Sequence, residues 1–334
     1  MGRGPTPEYY KVLNNDYVKG TLTCLKPSTI KRVVNANFPN VINIEPTNRC
    51  NLKCVYCPRE SADKGVGIMD WDLYVRLIDE ASEYDKLLML NFHKDGESFL
   101  HPRFMDMIGY AKKKNVAKVI HMNTNALCWT DNVIEELLHS GIDDITVSLD
   151  AAWPDTYKKQ KGVDCLEKVE KQVWRFFQRR TELKRKSPFV RVKIMEFSDV
   201  SHEEIEAFHK KWLNVADMVQ VTGIHSWSGA IKNISVTDET APVRYPCVIM
   251  WYSLVINWNG EATVCSVDWN TEIKVGDVRR QTIHQIWKSQ AIKEARQSQI
   301  NNDYDKYKVC KDCVVWVSIG DITDWLIKKK ELYL

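Results

Sequence analysis

The sequence predicts an α/β protein built on a parallel sheet or barrel, followed by a smaller C-terminal domain. From Val41 onward, short extended runs alternate with helical stretches, which is the pattern of repeated βα units. The sequence contains six such units, fewer than the eight of a closed TIM barrel. Further on, Asn259-Gly260 lies between alternating apolar residues, a strong signal for a β-hairpin.

The elements can be taken in order. Residues 1–38 have no clear period and predict a lead-in segment. The runs that we expect to be strands are Val41–Glu45, Leu87–His93, Val119–Asn125, Asp144–Asp150, Val190–Glu196 and Val219–His225. The helical candidates between them are 70–84, 102–114, 131–140, 154–185 and 201–213. Acidic residues follow Met69 and Ser201, as is typical of the first turn of a helix. We therefore divide the chain into a lead-in segment at 1–39, a barrel domain at 40–235 and a C-terminal domain at 236–334.

Bulk composition excludes several classes of partner. The chain has 334 residues, of which 44% are hydrophobic and 27% charged, as in a soluble globular protein. A net charge of +3 is too small to predict a nucleic acid or membrane partner. The apolar runs are far shorter than a membrane span, and the N-terminus lacks the apolar core of a signal peptide. We expect a cytoplasmic protein.

Seven of the ten cysteines fall into spaced groups, and Cys24, Cys128 and Cys165 are isolated. A reducing compartment disfavours disulfides, so grouped cysteines predict metal ligands. Three of them, Cys50, Cys54 and Cys57, follow the first predicted strand with the spacing CxxxCxxC. A structural zinc site requires four protein ligands, whereas three thiolates suit a [4Fe–4S] cluster with one open iron. A zinc knuckle or three unrelated thiols are the alternatives.

A second group consists of Cys247, Cys265, Cys310 and Cys313, arranged as C-x12-G-x4-C and a later CxxC. Four thiolates can fully ligate one Fe–S cluster. A tetrahedral zinc ion held by the same four thiolates is the alternative.

One face of each predicted strand is polar, because side chains alternate between the two faces. The polar set is Asn43, Glu45, Asn91, His93, His121, Asn123, Asn125, Thr146, Ser148, Asp150, Arg191, Lys193, Gln220 and Thr222. A closed barrel normally fills its interior with branched apolar side chains. The polar face therefore predicts a hydrophilic interior that binds a polar substrate, although some of these positions could instead be exposed strand edges.

The segment Cys50–Cys57 resembles the signature of the radical S-adenosylmethionine (radical SAM) family, with Tyr56 at its aromatic position. The C-terminal cysteines and hairpin resemble the SPASM/twitch extension of that family. The resemblance implies a partial (β/α)6 TIM barrel with a small C-terminal twitch domain. It implies that the open iron binds SAM and that reductive cleavage yields a 5′-deoxyadenosyl radical. Because no cysteine follows Cys313, it implies one auxiliary [4Fe–4S] cluster without an open iron.

The resemblance also implies SAM contacts. Asp95-Gly96-Glu97 stands in the place of the family's GGE motif, whose carboxylate binds the SAM amino group; Asp95 departs from it. Ser148 and Asp150 match the ribose-contact segment, and Asn125 ends the third strand where relatives carry a Thr-Asn-Gly-like turn. With Tyr56, these residues form the predicted SAM site.

Resemblance to twitch aminocyclitol dehydrogenases implies oxidation of a polar small molecule, a sugar or an aminocyclitol, with the auxiliary cluster accepting an electron. Glu45, His93 and Arg191 are candidate bases, chosen because they lie on the polar face. Cys128, just past the third strand, could instead return a hydrogen atom, as an epimerase requires. Epimerisation and peptide modification are the alternatives, and a non-enzymatic Fe–S or zinc protein is a third. A flavodoxin or ferredoxin is the expected reductant.

Overall fold

The computed structural model of the chain describes residues 31, 34–196, 199–223, 227, 231, 243–318 and 322–328. Most of the predicted lead-in segment and the predicted boundary at 235–236 lie outside the described residues. No helix in the described part of the chain is long and apolar enough to span a membrane.

Nine strands form one mixed sheet. They are β1 (Val41–Ile44), β2 (Leu87–Phe92), β3 (Ala117–Thr124), β4 (Asp144–Ser148), β5 (Phe189–Glu196), β6 (Met218–Gly223), β7 (Ser253–Ile256), β8 (Glu261–Thr263) and β9 (Lys274–Asp277). Their order across the sheet is β6-β5-β4-β3-β2-β1-β7-β8-β9. Strands β1 to β6 are parallel neighbours in chain order. Within the described residues β6 pairs with β5 alone, so the six strands form an open barrel, and the predicted fold class is confirmed.

The helices follow the strands as the βα pattern predicts. They are α1 (Trp71–Ser82), α2 (Phe104–Lys114), α3 (Asp131–Ser140), α4 (Pro154–Lys161), α5 (Leu166–Glu182), α6 (His202–Trp212), α7 (Ile283–Trp287), α8 (Gln290–Ile300), α9 (Lys308–Lys311) and α10 (Thr323–Lys328). Short 3₁₀ turns cover Pro58–Ser61, Ser98–Leu100, Val248–Trp251, Tyr304–Lys306 and Val315–Ser318. The longer barrel helices bury an apolar stripe; α1, for example, buries Tyr74, Leu77 and Ile78.

Two predicted helix starts are confirmed by their caps. The Asp70 carboxylate accepts a hydrogen bond from the Leu73 amide at the start of α1. The Ser201 hydroxyl accepts one from the Glu204 amide at the start of α6. Such caps satisfy amide groups that have no partner inside the helix. The single predicted helix at 154–185 is wrong, because Gly162 ends α4 in the left-handed region and α5 begins four residues later.

The C-terminal hairpin continues the barrel sheet. Strand β7 pairs in parallel with β1, from Val41 opposite Ser253 to Ile44 opposite Ile256, and antiparallel with β8. The predicted turn is confirmed, since the Asn257 amide donates to the Glu261 carbonyl across Asn259-Gly260. Strand β1 thus has a neighbour on both edges, and the two parts of the chain share one sheet.

Arg191, a candidate base, lies near the amino end of the barrel rather than at its carboxyl end. Its Nη2 atom donates to Oδ1 and Oδ2 of Asp144 at 2.7 and 2.6 Å. Asp144 is the first residue of β4 and is fully buried. The guanidinium therefore compensates a buried carboxylate, far from the ends of parallel strands where ligands bind.

Replacing Arg191 should destabilise the protein. We expect Arg191→Met to cost about 3–5 kcal/mol, because it leaves the buried Asp144 charge without its partner. The midpoint of denaturant unfolding, measured anaerobically, checks this. The double variant Arg191→Met/Asp144→Leu is the matched control, and it should recover most of the loss. A single variant that unfolds within about 1 kcal/mol of the parent protein would contradict the assignment.

Candidate active site

A belt of polar side chains crosses the barrel interior over five adjacent strands. Asn43 donates to Ser253 Oγ at 3.0 Å, and Asn91 donates to Asn43 Oδ1 at 2.7 Å. His121 contacts Asn91 Oδ1 through Nδ1 at 2.9 Å and Thr146 Oγ1 through Nε2 at 3.1 Å. The polar face predicted from strand alternation is therefore the inner face of the barrel, and its members bind one another.

The hydrogen bonds of the belt all run the same way, with each side chain donating to its neighbour on the side of β7. Because the Asn91 amide group donates to Asn43, its carbonyl oxygen accepts from His121 Nδ1–H. His121 Nε2 then accepts from the Thr146 hydroxyl, which defines the tautomer of the ring. Burial and the nearby Arg191 lower the pKa of His121 well below 6.5. The belt is thus an uncharged floor across the barrel.

His93 follows directly after β2 and lies on the same inner face. Its Nδ1 atom is buried and has no hydrogen-bond partner among the described residues. Burial is the main cause that lowers the pKa of His93 to about 3, and the neighbouring His121 ring and the Lys193 ammonium disfavour a second positive charge there. The ring is neutral at physiological pH and has a free nitrogen, which a hydroxyl group could occupy.

Glu45, a candidate base, belongs to a buried network of charges. Lys64 Nζ lies 3.2 Å from Glu45 Oε1 and 2.5 Å from Asp95 Oδ2. The Trp258 amide donates to Glu45 Oε2 at 3.2 Å. Burial and the Asp95 charge raise the pKa of Glu45 above 4.5. The carboxylate is therefore bound on both sides, unlike the ring of His93.

Asp95 is the departure from the family's GGE motif, and its side chain has its own role. Lys94 Nζ donates to Asp95 Oδ2 at 3.1 Å and to the Asp268 carbonyl at 3.0 Å. Burial alone would raise the pKa of Asp95, but the charges of Lys94 and Lys64 lower it. The network joins the end of β2 to the loop that follows Cys265.

The loop that carries Lys64 is packed tightly against the C-terminal hairpin. A Cβ atom on Gly67 would lie 2.2 Å from the Trp258 ring, so only glycine fits there. Asn48 holds the same loop through bonds to the Gly65 carbonyl and the Gly67 amide. The indole of Trp258 thus contacts the backbone of the loop directly.

Gly96 and Glu97 lie together with Asn125, as predicted for a SAM site. A Cβ atom on Gly96 would lie 2.1 Å from the Thr47 carbonyl oxygen, so glycine is required. Glu97 accepts from the Asn125 amide at 2.8 Å and from Thr124 Oγ1 at 3.0 Å. Burial raises the pKa of Glu97 from 4.5 to about 7.

Asp150 joins the cysteine loop to the end of β4. Its Oδ2 atom accepts from Tyr56 at 2.8 Å, from Ser148 at 2.5 Å and from Lys161 at 2.5 Å. The Lys161 ammonium also lies 5.3 Å from the centre of the Tyr56 ring. Burial opposes the charge, but Lys161 and Lys193 lower the pKa of Asp150 to about 2. Three predicted SAM contacts, Tyr56, Ser148 and Asp150, are thus in mutual contact.

The three N-terminal cysteines share one short loop. The Cys57 amide donates to the Cys54 carbonyl at 3.1 Å, which closes the loop as a turn. Burial raises the pKa of Cys57 to about 11 and also raises that of Cys50. Cys128 lies beside this loop, since Asn51 Nδ2 is 3.4 Å from its sulfur. Cys128 is therefore near the predicted cluster.

The four C-terminal cysteines line one small cavity. Burial raises the pKa of Cys247 to about 12 and that of Cys265 well above 9.0, and their neighbouring cysteines raise both further. Among the described residues, no three His, Cys, Asp or Glu side chains converge on a single metal ion. Each thiolate of a four-iron cluster binds its own iron, so its ligands surround a larger group. Four soft thiolates around one cavity fit such a cluster.

Two family models match the chain. Residues 44–181 match the radical SAM superfamily, and residues 247–314 match SPASM, an iron-sulfur cluster-binding domain. Together the two segments cover more than half of the chain, and each contains one of the cysteine groups.

Relatives resemble the chain over most of its length. A Pyrococcus furiosus protein named as a tungsten-containing aldehyde ferredoxin oxidoreductase cofactor-modifying protein is 24% identical, covering 84% of this chain and 90% of its own. The S-adenosyl-L-methionine-dependent 2-deoxy-scyllo-inosamine dehydrogenase of Niallia circulans is 22% identical, covering 82% of this chain and 92% of its own.

Solved structures share the fold. BtrN in complex with AdoMet and 2-DOIA has a TM-score of 0.56 at 19% identity, covering 82% of this chain and 92% of that one. Streptococcus suis SuiB bound to its precursor peptide SuiA has a TM-score of 0.65 at 15% identity, covering 92% and 76%. The two family-model matches assign the chain to the radical SAM enzymes, with a C-terminal SPASM-type domain. These domains imply SAM, a [4Fe–4S] cluster that binds it and an auxiliary Fe–S cluster.

Several residues of the site were missed by sequence reasoning. Lys161 ends α4 beside Gly162 in a segment of exposed lysines, and nothing in the sequence distinguishes it from them. Lys64 lies in a loop without a motif. From the sequence, Glu204 is an ordinary acidic residue in the first turn of a predicted helix. Its carboxylate in fact accepts bonds from the amides of Ala152 and Trp153, just after Asp150.

The pH dependence of SAM binding tests the role of Glu97. A carboxyl with a pKa of about 7 is protonated below that pH and then lacks the negative charge that attracts the SAM ammonium group. We expect the affinity for SAM to fall about tenfold per pH unit below 7. Anaerobic SAM titration, followed by the EPR spectrum of the reduced cluster, measures it.

The matched control is Glu97→Gln, which cannot titrate. The SAM amino group itself titrates in a nearby range, so the difference between the two pH profiles isolates the carboxyl. Identical profiles for the parent protein and Glu97→Gln would contradict the predicted contact.

Proposed function

We propose that this radical SAM enzyme oxidises a hydroxyl-bearing polar small molecule, a sugar or an aminocyclitol, at a carbon that carries the hydroxyl group. The observation that carries the proposal is the inner face of the barrel: an uncharged belt from Ser253 to Thr146, with His93 above it. A neutral floor with one free imidazole nitrogen suits hydroxyl groups better than a lipid or a strongly charged ligand.

The chain's residues have distinct roles in this proposal. Glu97 and Asn125 bind the amino-acid end of SAM, while Ser148 and Asp150 bind its ribose. Reductive cleavage of bound SAM supplies a 5′-deoxyadenosyl radical, which removes a hydrogen atom from the substrate carbon. His93 accepts the hydroxyl proton through its free nitrogen. The ring is neutral at physiological pH, so its lone pair is free to accept the proton, although burial, which lowers its pKa to about 3, leaves it a weak base.

Cys247, Cys265, Cys310 and Cys313 would hold the auxiliary cluster, which would supply an acceptor for the electron that the substrate loses. Four thiolates leave no open iron for substrate to bind, which suits an electron acceptor. Loss of one hydrogen atom, one proton and one electron converts the alcohol into a carbonyl. Lys94 connects the two regions, since it follows His93 directly and donates to the Asp268 carbonyl beyond Cys265.

The comparison with relatives supports the same reaction class. The Niallia circulans relative, by its name a dehydrogenase of an aminocyclitol, covers most of both chains. The likeness to SuiB concerns the fold alone, so it does not favour peptide modification. Epimerisation has one observation in its favour: Cys128 lies beside the N-terminal cysteine loop, held by Asn51. From there it could reach a substrate radical near SAM.

Replacing His93 should separate SAM cleavage from product formation. We expect His93→Gln to lower product formation at least about 100-fold, because general bases contribute about 10²–10⁴. Formation of 5′-deoxyadenosine should continue, since His93 is outside the predicted SAM contacts. Anaerobic reactions with candidate aminocyclitols, analysed for both products, measure the two yields. His139→Gln, at an exposed position of α3, is the matched control, and an equal loss in both variants would contradict the role of His93.

The same reactions in deuterated water distinguish oxidation from epimerisation. Oxidation gives a product two mass units lighter than the substrate, and Cys128→Ala should form it at the parent rate. Solvent deuterium at an inverted carbon, abolished by Cys128→Ala, would instead show that the enzyme is an epimerase.

A further inference from the structure

Arg244 lies three residues before Cys247 and lines the same cavity as the four C-terminal cysteines. Its side chain holds the CxxC segment from one side. Nη2 donates to the Cys310 carbonyl at 2.6 Å, and Nη1 donates to the Lys311 carbonyl at 3.0 Å. A planar guanidinium that binds two successive carbonyls is fixed in orientation as well as in position.

Aromatic rings hold the guanidinium further. Its central carbon lies 4.1 Å from the centre of the Tyr304 ring and 5.8 Å from that of Trp316. Trp316 also lines the cavity, and its indole donates to the Cys313 carbonyl at 2.8 Å. The cation is thus held between the backbone of the CxxC segment and two aromatic side chains.

The Nε–H group of Arg244 is a donor that these contacts do not use. The Nε–H group is buried and has no hydrogen-bond partner among the described residues. A buried donor without a partner destabilises the protein, and a charged one does so more strongly, so a binding partner is expected. The cavity that Arg244 shares with four thiolate ligands offers one, because sulfur atoms of an Fe–S cluster accept hydrogen bonds.

We infer that Arg244 is a positioning residue for the auxiliary cluster, whose sulfur accepts a hydrogen bond from Nε–H and whose reduction potential is raised by the guanidinium charge. A cation and a hydrogen bond both stabilise the reduced cluster, which carries one more negative charge. Asp268 opposes this effect, since its carboxylate is near Cys265 and Cys310. Arg244 supplies the opposing positive charge, since its guanidinium acts on Cys247 and Cys310.

The inference deepens the proposed function. It depends on that proposal only for the use to which the auxiliary cluster is put, which is to accept the substrate's electron. An acceptor of the substrate's electron must be reducible, and four thiolates alone make a cluster strongly negative. A fixed cation with a free donor makes the transfer of one electron to this cluster more favourable. The substrate supplies the electron, and no further oxidant is required in that step.

The test is an EPR-monitored redox titration of the full-length, fully loaded enzyme without substrate. SAM perturbs the signal of the open cluster and so separates it from the auxiliary one. In Arg244→Met we expect the equilibrium for one-electron reduction of the auxiliary cluster to fall at least tenfold, a shift of about 59 mV to more negative potential. Arg244→Lys keeps the charge but loses Nε–H, so its shift should be smaller and in the same direction.

Arg280→Met is the matched control, because Arg280 is an exposed arginine of the same region and lies outside the cavity lining. The reduction potential of the auxiliary cluster in Arg280→Met should equal that in the parent protein. A parent-like potential in Arg244→Met with full iron content, or in Arg244→Lys, would overturn the inference. Loss of the auxiliary iron from both variants, with the SAM cluster retained, would show a purely structural role and would overturn it too. Because no substrate is present, a failure of the proposed oxidation leaves this result unaffected.

Discussion

Strand β1 is the element on which the rest of the structure depends, because it is hydrogen-bonded on both edges. On one edge it pairs with β2, the strand that leads to His93, and on the other with β7, the strand that leads to the C-terminal hairpin. The cysteine loop follows its end. One four-residue strand therefore fixes three positions relative to one another: the SAM cluster, the floor of the barrel and the auxiliary domain.

The fold and the presence of two Fe–S clusters could be predicted from the sequence because their signals are local. Strand alternation places Asn91 and His93 on one face, and the spacing of Cys50, Cys54 and Cys57 requires no knowledge of distant residues. The pairing of β7 with β1 could not be predicted in this way. Residues 41–44 and 253–256 are more than two hundred positions apart, and neither segment carries a pattern that names its partner.

The candidate bases show the same limit at the level of single side chains. Glu45, His93 and Arg191 all share the polar parity, which was the reason for choosing them. Their environments differ because of contacts from elsewhere: Lys64 binds Glu45, Asp144 binds Arg191, and His93 retains a free nitrogen. Parity predicts which way a side chain faces. The charges that surround the side chain depend on tertiary contacts, which the strand pattern does not predict.

The contact between Gly67 and the Trp258 ring limits how freely the two domains can be exchanged among relatives. A hairpin with another residue in place of Trp258 would leave a gap over the loop, and a loop with any side chain at position 67 would collide with the ring. The loop also carries Lys64, whose charge balances Glu45 and Asp95. The barrel loop and the hairpin therefore have to match each other. A chimaera that takes its C-terminal domain from another protein must also take the segment equivalent to residues 58–68 from that protein.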